Sequence, residues 1–217
     1  MTTVVAIQGD GYVVMGTDSR LSATDANGFV SRVHTMSSNV SKISQNNGML
    51  IGLAGDVRAI NLIAHSFQAP QASPSLRGKK LDDYITNKFV PSLRACFDLH
   101  GYSAPQRDSS EHMAEQGSEI LLSINAVIYQ IDNDYAWSND ASGLYAIGTG
   151  GQYAIGALAA LLKAKNTTIA MAKKQCLNAL AIAAKYDPHT GYPYQTFQQE
   201  GLTVERRNTR TRTSSKV

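Results

Sequence analysis

A threonine at position 2 puts a hydroxyl and, once the bond to Met1 is cut, a free α-amino group on a single residue. An α-amino group ordinarily titrates at roughly 7.7–8.0, so near neutral pH it can take the proton of that hydroxyl, directly or through one water. Nucleophile and base then share one residue. A carboxylate and a cation follow at useful places. Asp18-Ser19-Arg20 lies just past a second strand-like run, and Lys42, the first lysine of the chain and the only one before Lys79, leads a third. An ammonium held beside Thr2 and Asp18 would lower the pKa of the attacking group and stabilise developing negative charge. By residue type and position alone, Asp18 and Arg20 fit a turn ion pair equally well, and Lys42 fits a solvated surface site.

The elements that must position these residues are legible in outline. Thr3–Gln8 and Tyr12–Thr17 read as strands joined by the turn Gly9-Asp10-Gly11, a hairpin that returns Asp18 toward the chain start. Lys42–Ser44 and Met49–Leu53 form a second hairpin around Asn46-Asn47-Gly48, and the polar stretch Ser19–Ser41 between the two hairpins carries no strand pattern. Asp56 is placed to cap a helix with Ile60, Ile63, Ala64 and Phe67 on one face. A second helical pattern runs from Leu81 to Phe97 with a kink expected at Pro91. Strands follow near Glu119–Asn125, Ala126–Ile131, Tyr135–Ser138 and Leu144–Ile147, then helices near Tyr153–Ala164 and Thr168–Tyr186, and a last strand Tyr192–Phe197. This order disfavours a βαβ repeat and favours antiparallel sheets with helices grouped outside them, a layered α+β sandwich. Residues 1–197 are expected to form one domain, and the polar, basic residues 198–217 a disordered tail.

Five blocks, TTVVAIQGDGYVVMGTDSR, VSKI, MLIGLAGD, YAIGTGGQYAIGAL and KYDPHTG, occur in the order found in the proteasome β-subunit family, which includes the bacterial HslV peptidase. The chain resembles that family of N-terminal nucleophile (Ntn) hydrolases from Thr2 to about Phe197. The resemblance implies a four-layer αββα sandwich assembled into stacked homo-oligomeric rings with the active sites inside, served in some members by an ATP-dependent unfoldase. It further implies Thr2 as nucleophile, Asp18 as supporting carboxylate, Lys42 as catalytic ammonium and Arg20 as the basic residue that follows the aspartate. The Gly52 N–H is the implied oxyanion donor, and Thr149, Asp187 and Thr190 are implied to orient the terminal amine, with threonines where the family usually has serines. Leu50, two positions before Gly52, is implied to line the pocket for the side chain preceding the cut, with Met49 or Ile51 as the alternative by strand alternation; either way the expected preference is for Leu, Phe or Tyr. The segment between Arg20 and Lys42 is several residues longer than in typical members. With no propeptide expected, exposure of Thr2 would fall to an aminopeptidase.

Composition removes other function classes. Residues 205–217 hold five basic side chains and one acid, more than the whole chain's net charge of +3, so the body is slightly negative and a broad nucleic-acid surface on it is not expected. Gly148-Thr149-Gly150-Gly151 looks like a phosphate loop but lacks the dinucleotide spacing, and no Gly-Lys-Ser/Thr follows it. The five histidines show no metal-ligand spacing, and Cys96 and Cys176 read as packed thiols, so neither metal nor cofactor is expected. The longest apolar stretch, around Ala154–Leu162, is too short to span a bilayer, and no signal peptide is recognisable. The expectation is a cytoplasmic threonine peptidase acting on peptides or unfolded proteins. The alternatives are an amidase acting on small amides and a catalytically silent subunit that only builds a ring.

Overall fold

Strands β1 (Thr3–Gln8) and β2 (Tyr12–Asp18) form the expected opening hairpin, with Val4 opposite Thr17 and Gln8 opposite Val13. The computed structural model describes residues 2–27, 29–102, 117–162 and 167–201. Every residue from Thr3 to Ile7 and from Tyr12 to Asp18 is buried, because this hairpin is covered on both faces. Val4, Ala6, Val13 and Met15 point to one side and Val5, Ile7 and Val14 to the other. A continuous apolar run follows from two-sided burial.

The segment after β2 departs from expectation. Arg20–Thr24 (β3) and Val30–Thr35 (β4) pair as a two-stranded antiparallel ribbon with an irregularity between Ala23 and Thr24. The Asp25 carboxylate closes its turn by accepting the Asn27 and Phe29 N–H groups, both at 2.9 Å. The ribbon has no period-2 apolar signal because β4 has no buried residue on either face.

The next hairpin pairs β5 (Ile43–Asn46) with β6 (Met49–Gly55), and Asp56 caps α1 (Val57–His65) by accepting the Arg58 N–H at 2.8 Å. The second helical stretch is not simply kinked. It runs as α2 (Lys79–Tyr84), a π-helical turn over Ile85–Phe89, and α3 (Val90–Leu99). Pro91 has no N–H and its ring crowds the carbonyl four residues back, and the helix widens just ahead of it.

Strands β7 (Ser118–Ile124), β8 (Val127–Ile131) and β9 (Trp137–Ser138) join β5 and β6 in a five-stranded sheet ordered β5-β6-β7-β8-β9. Strand β10 (Leu144–Gly148) returns to the first sheet, followed by α4 (Gly151–Leu161), α5 (Ile169–Tyr186) and β11 (Tyr194–Glu200), and that sheet is ordered β10-β1-β2-β11. β11 pairs with β2 as far as Glu200 opposite Tyr12, three residues past the expected strand end. The basic stretch beyond Gly201, like residues 103–116, lies outside the described residues.

Three apolar clusters alternate with the two sheets. Val4, Ala6, Val13 and Met15 meet Ile43, Leu50, Ala54, Leu121 and Ile128 between the sheets. Val5, Ile7 and Val14 pack under Leu158, Cys176 and Leu180 of α4 and α5, while Ile51, Leu53, Ile120 and Leu122 pack under Ile60, Ile63, Leu93 and Phe97 of α1 and α3. Cys96 and Cys176 are both free thiols. Among the described residues, no helix is long and apolar enough to cross a membrane.

Candidate active site

Asp18 is the hub. It sits at the end of β2, is 1% exposed, and its two oxygens accept four hydrogen bonds. Oδ1 takes the Thr3 N–H at 3.0 Å and the Lys42 ammonium at 2.7 Å; Oδ2 takes the Arg20 and Gly191 N–H groups, each at 3.0 Å. One carboxylate thereby joins the chain start, the β3 ribbon, the β5 entrance and the loop after α5.

Lys42 is fully buried, and its Nζ also donates to the Arg20 carbonyl at 2.6 Å. It lies one residue before β5 yet stays in the sheet frame, because its carbonyl accepts the Leu53 N–H at 2.9 Å. Burial pushes the ammonium below the ordinary lysine pKa, and the adjacent Asp18 carboxylate works against that shift. Across the longer 21–41 segment, Lys42 therefore does reach Asp18. Arg20 turns the other way, its guanidinium donating to the Pro188 carbonyl at 2.9 Å and filling the space left by the absent side chain of Gly191.

A second network backs the chain start. The Asp187 Oδ2 accepts the Thr149 hydroxyl at 2.8 Å and the Thr190 hydroxyl at 2.6 Å, and the Thr190 and Thr3 hydroxyls lie 2.6 Å apart. Asp187 ends α5, and its Oδ1 accepts the His189 N–H at 3.1 Å, which fixes the turn. The Ser22 hydroxyl, 2.6 Å from His189 Nδ1, ties the β3–β4 ribbon to that turn. Gly150 leaves the room this network needs. A methyl there would stand 2.2 Å from Thr3 Oγ1, 2.7 Å from Thr190 Oγ1 and 3.0 Å from Asp187 Oδ2. Gly150→Ala is therefore expected to cost about 1–3 kcal/mol of stability, measured as a lower denaturant midpoint; a midpoint equal to that of the parent chain would contradict the packing described.

The two threonines at the start have different fates. Thr3 pairs opposite Gly148 across β1 and β10, and its hydroxyl is committed to the network behind the site. Thr2 lines an open cavity of about 780 Å³, and its buried Oγ1 has no hydrogen-bond partner among the described residues. A buried hydroxyl left unpaired is costly, so the position invites a functional account. Gly148 makes the placement of Thr2 possible: its φ is +85°, and a Cβ there would lie 2.0 Å from the Thr2 carbonyl oxygen.

Of the expected residues, Thr2 and Thr149 line this cavity; Asp18, Arg20, Lys42, Asp187 and Thr190 belong to the two networks behind it, and Gly52 and Leu50 to neither. Gly52 lies inside the five-stranded sheet, opposite Ile43 on one side and Leu121 on the other, and a Cβ there would meet Val4 of the facing sheet at 2.9 Å. The second glycine of the same block stands at the cavity instead. Gly55 ends β6 at φ +134°, is exposed, and lines the cavity with Ala54, Thr149 and Thr2. Leu50 is 3% exposed within the intersheet core and borders a separate cleft near Gly48 and Gln199, while Met49 and Ile51 are buried under the helices. All three sit toward the opposite end of β6 from Gly55, because five residues of extended strand lie between Met49 and Gly55. Residue type could not separate the two glycines of GLAGD.

The remaining cavity wall corresponds to none of the sequence motifs. It comprises Gly117, Ser118 and Glu119 at the start of β7 and Asp132-Asn133-Asp134 in the β8–β9 turn. Among the described residues, no group of three or more His, Cys, Asp or Glu is arranged to hold a metal ion.

No protein-family model matches the sequence, and no curated protein does. Solved structures do match over nearly the whole chain. Thiobacillus denitrificans BPH in complex with epoxomicin superposes with a TM-score of 0.70 at 19% identity, covering 93% of this chain and 100% of that one. Eukaryotic HslV from Trypanosoma brucei gives 0.55 at 22% identity, covering 92% and 99%, and a Gly-1 mutant of Anbu from Hyphomicrobium sp. strain MC1 gives 0.60 at 13%, covering 92% and 82%. The likeness is one of fold, the proteasome-like fold that the five sequence blocks resemble.

Proposed function

We propose that the chain is a threonine-type endopeptidase with Thr2 as its nucleophile, working inside a proteasome-like ring of its own copies. The reading rests on one observation above the others. The Thr2 hydroxyl is unpaired at a cavity wall, directly beside a residue whose backbone is clamped by the buried Asp18–Lys42 pair.

Once the bond preceding Thr2 is cut, the new α-amino group accepts the Oγ1 proton as Oγ1 attacks the substrate carbonyl carbon. The resulting oxyanion takes a hydrogen bond from the Gly55 N–H, and the buried Lys42 charge supports the negative charge that develops. The tetrahedral intermediate collapses, the peptide C–N bond breaks, and the ammonium of Thr2 returns its proton to the departing amine. Water, deprotonated by the same amine, then attacks the Thr2 ester and regenerates the hydroxyl. Asp18 holds Lys42 and the Thr3 backbone, while Thr149, Asp187 and Thr190 orient the chain start, and Arg20 braces the loop that carries Gly191.

The stacking of helices, sheet, sheet and helices is read as the four-layer αββα sandwich of Ntn hydrolases, with the catalytic domain running through the end of β11. Assembly is supported by the outer helices, which leave Tyr153, Leu161, Met171, Leu177 and Tyr186 exposed for a neighbouring copy to cover. Substrates are peptides or unfolded proteins in the cytoplasm.

Intact mass spectrometry paired with a fluorogenic peptide assay tests the central claim. Activity should track the fraction of chains that begin at Thr2, and light scattering of the active fraction should give a mass many times 23.4 kDa. Full activity from a homogeneous preparation retaining Met1 would sink the mechanism, and a monomer hydrolysing only small amides would move the reading to an amidase.

A further inference from the structure

The turn after α5 has two sides, and His189 reaches both. On one side the turn carries the second network: Asp187 Oδ2 accepts the Thr149 and Thr190 hydroxyls, and Asp187 Oδ1 accepts the His189 N–H at 3.1 Å. On the other it is laced to residues 18–22. The Gly191 N–H donates to Asp18 Oδ2 at 3.0 Å, the Ser19 N–H to the Gly191 carbonyl at 3.2 Å, and the Arg20 guanidinium to the Pro188 carbonyl at 2.9 Å. The furthest tie along β3 runs from side chain to side chain, with the Ser22 hydroxyl 2.6 Å from His189 Nδ1.

The β3–β4 ribbon depends on such ties for its placement. None of the described side chains from Arg20 to Thr35 is buried, so apolar packing contributes little to holding the ribbon against the sheets. Its first residue is nonetheless part of the Asp18–Lys42 hub. Arg20 gives its N–H to Asp18 Oδ2 at 3.0 Å, and its carbonyl accepts the Lys42 ammonium at 2.6 Å. A ribbon that swings at Ser22 therefore moves an acceptor of the buried ammonium. His189 is only 9% exposed although it sits in a turn, and a buried imidazole needs a hydrogen-bond partner, which Ser22 supplies.

We infer that His189 is a positioning residue which, through Ser22, locks the Asp18–Lys42 hub and the Asp187–Thr190 network into one rigid unit behind Thr2. Ser22 and His189 stand behind the cavity and not in its wall, so their effect falls on the orientation of the groups around Thr2. The kinetic consequence rests on the reading of Thr2 as nucleophile; the joining of the two networks does not.

The test pairs a structural readout with a kinetic one. In hydrogen–deuterium exchange of the full chain followed by mass spectrometry, Ser22→Ala and His189→Ala should each raise exchange in both joined segments, 18–24 and 186–191. With chains beginning at Thr2 and a fluorogenic peptide, each substitution should lower kcat about threefold to tenfold, the weight of one neutral hydrogen bond, and leave KM within about twofold. His189→Asn offers Ser22 an amide that can serve as donor or acceptor, and should recover at least about half of the parent kcat. Combining Ser22→Ala with His189→Ala should cost little more than either alone, because both remove the same bond. Should His189→Ala fail to fold, Ser22→Ala decides the question by the same readouts, with Ser22→Thr, which keeps the hydroxyl, as the recovering variant. Exchange raised in the substituted segment alone, a loss confined to KM, multiplicative losses in the double variant, or no recovery in the conservative variants overturns the inference. Linked exchange in a parent chain that hydrolyses no peptide upholds the joining of the two networks and sinks the nucleophile assignment instead.

Discussion

Lys42→Ala is expected to abolish peptide hydrolysis and to lower stability by about 3–5 kcal/mol, the usual cost of stranding one member of a buried ion pair. Both side chains are fully buried and 2.7 Å apart, so loss of the ammonium leaves the Asp18 charge facing protein and no counterion. Asp18→Asn should be comparably severe for a geometric reason. Oδ2 receives two backbone N–H groups, from Arg20 and Gly191, and Oδ1 receives a third N–H and the ammonium. An amide NH2 at either position would set donor against donor. Steady-state kinetics together with urea unfolding reads both effects, and a Lys42→Ala chain of parental stability would refute the buried pair. The pair also fixes a pH signature. Burial holds Lys42 below the ordinary 10.5, so between its folded value and 10.5 the unfolded chain binds more protons and this group's contribution to stability rises with pH. Under the proposed mechanism activity runs the opposite way, since deprotonation removes the charge that supports the oxyanion. The alkaline limb of kcat/KM is therefore expected below 10.5.

Thr2→Val should separate chemistry from folding more sharply than any other single change. It exchanges a hydroxyl for a methyl of similar shape, and since Thr2 Oγ1 has no partner to lose, stability should be unchanged or slightly raised. Turnover should fall by at least about 10³-fold, as expected when the central member of a catalytic unit is removed. Thr2→Ser retains hydroxyl and amine and should keep measurable activity. The neighbouring residue supplies the contrast: Thr3→Val breaks the 2.6 Å link to Thr190 and should destabilise by about 1 kcal/mol. Thermal melts and peptide hydrolysis on the same preparations check the pattern. If Thr2→Val melts well below the parent chain, the hydroxyl has a structural partner and the argument from its isolation fails.

What the sequence by itself determined is the part of the molecule where residue type carries the physics. Runs such as Thr3–Ile7 and Tyr12–Asp18 are buried on both faces, and their apolar content announces them as strands. Asp56 announces a helix start because its carboxylate suits a cap, and Lys42 stands out as the candidate ammonium because the chain offers no other lysine before Lys79, while its burial is read from the structure. The family resemblance names Thr149, Asp187 and Thr190 as a set, and the structure brings those three together.

Tertiary structure decided what residue type cannot encode. The β3–β4 ribbon has no buried residue in β4, so no apolar period betrays it, and backbone pairing alone defines it. Gly52 and Gly55 are the same amino acid three residues apart. One is sealed between β5 and β7 and the other stands at φ +134° on the cavity rim, a difference of backbone geometry and environment with no trace in composition. The cavity wall is the clearest case. Glu119, Asp132 and Asp134 come from the start of one strand and the turn between two others, and Thr2 immediately precedes β1 of the other sheet. They share a cavity because the two sheets pack face to face through Val4, Met15, Ala54 and Leu121, which brings one end of each sheet to a common opening.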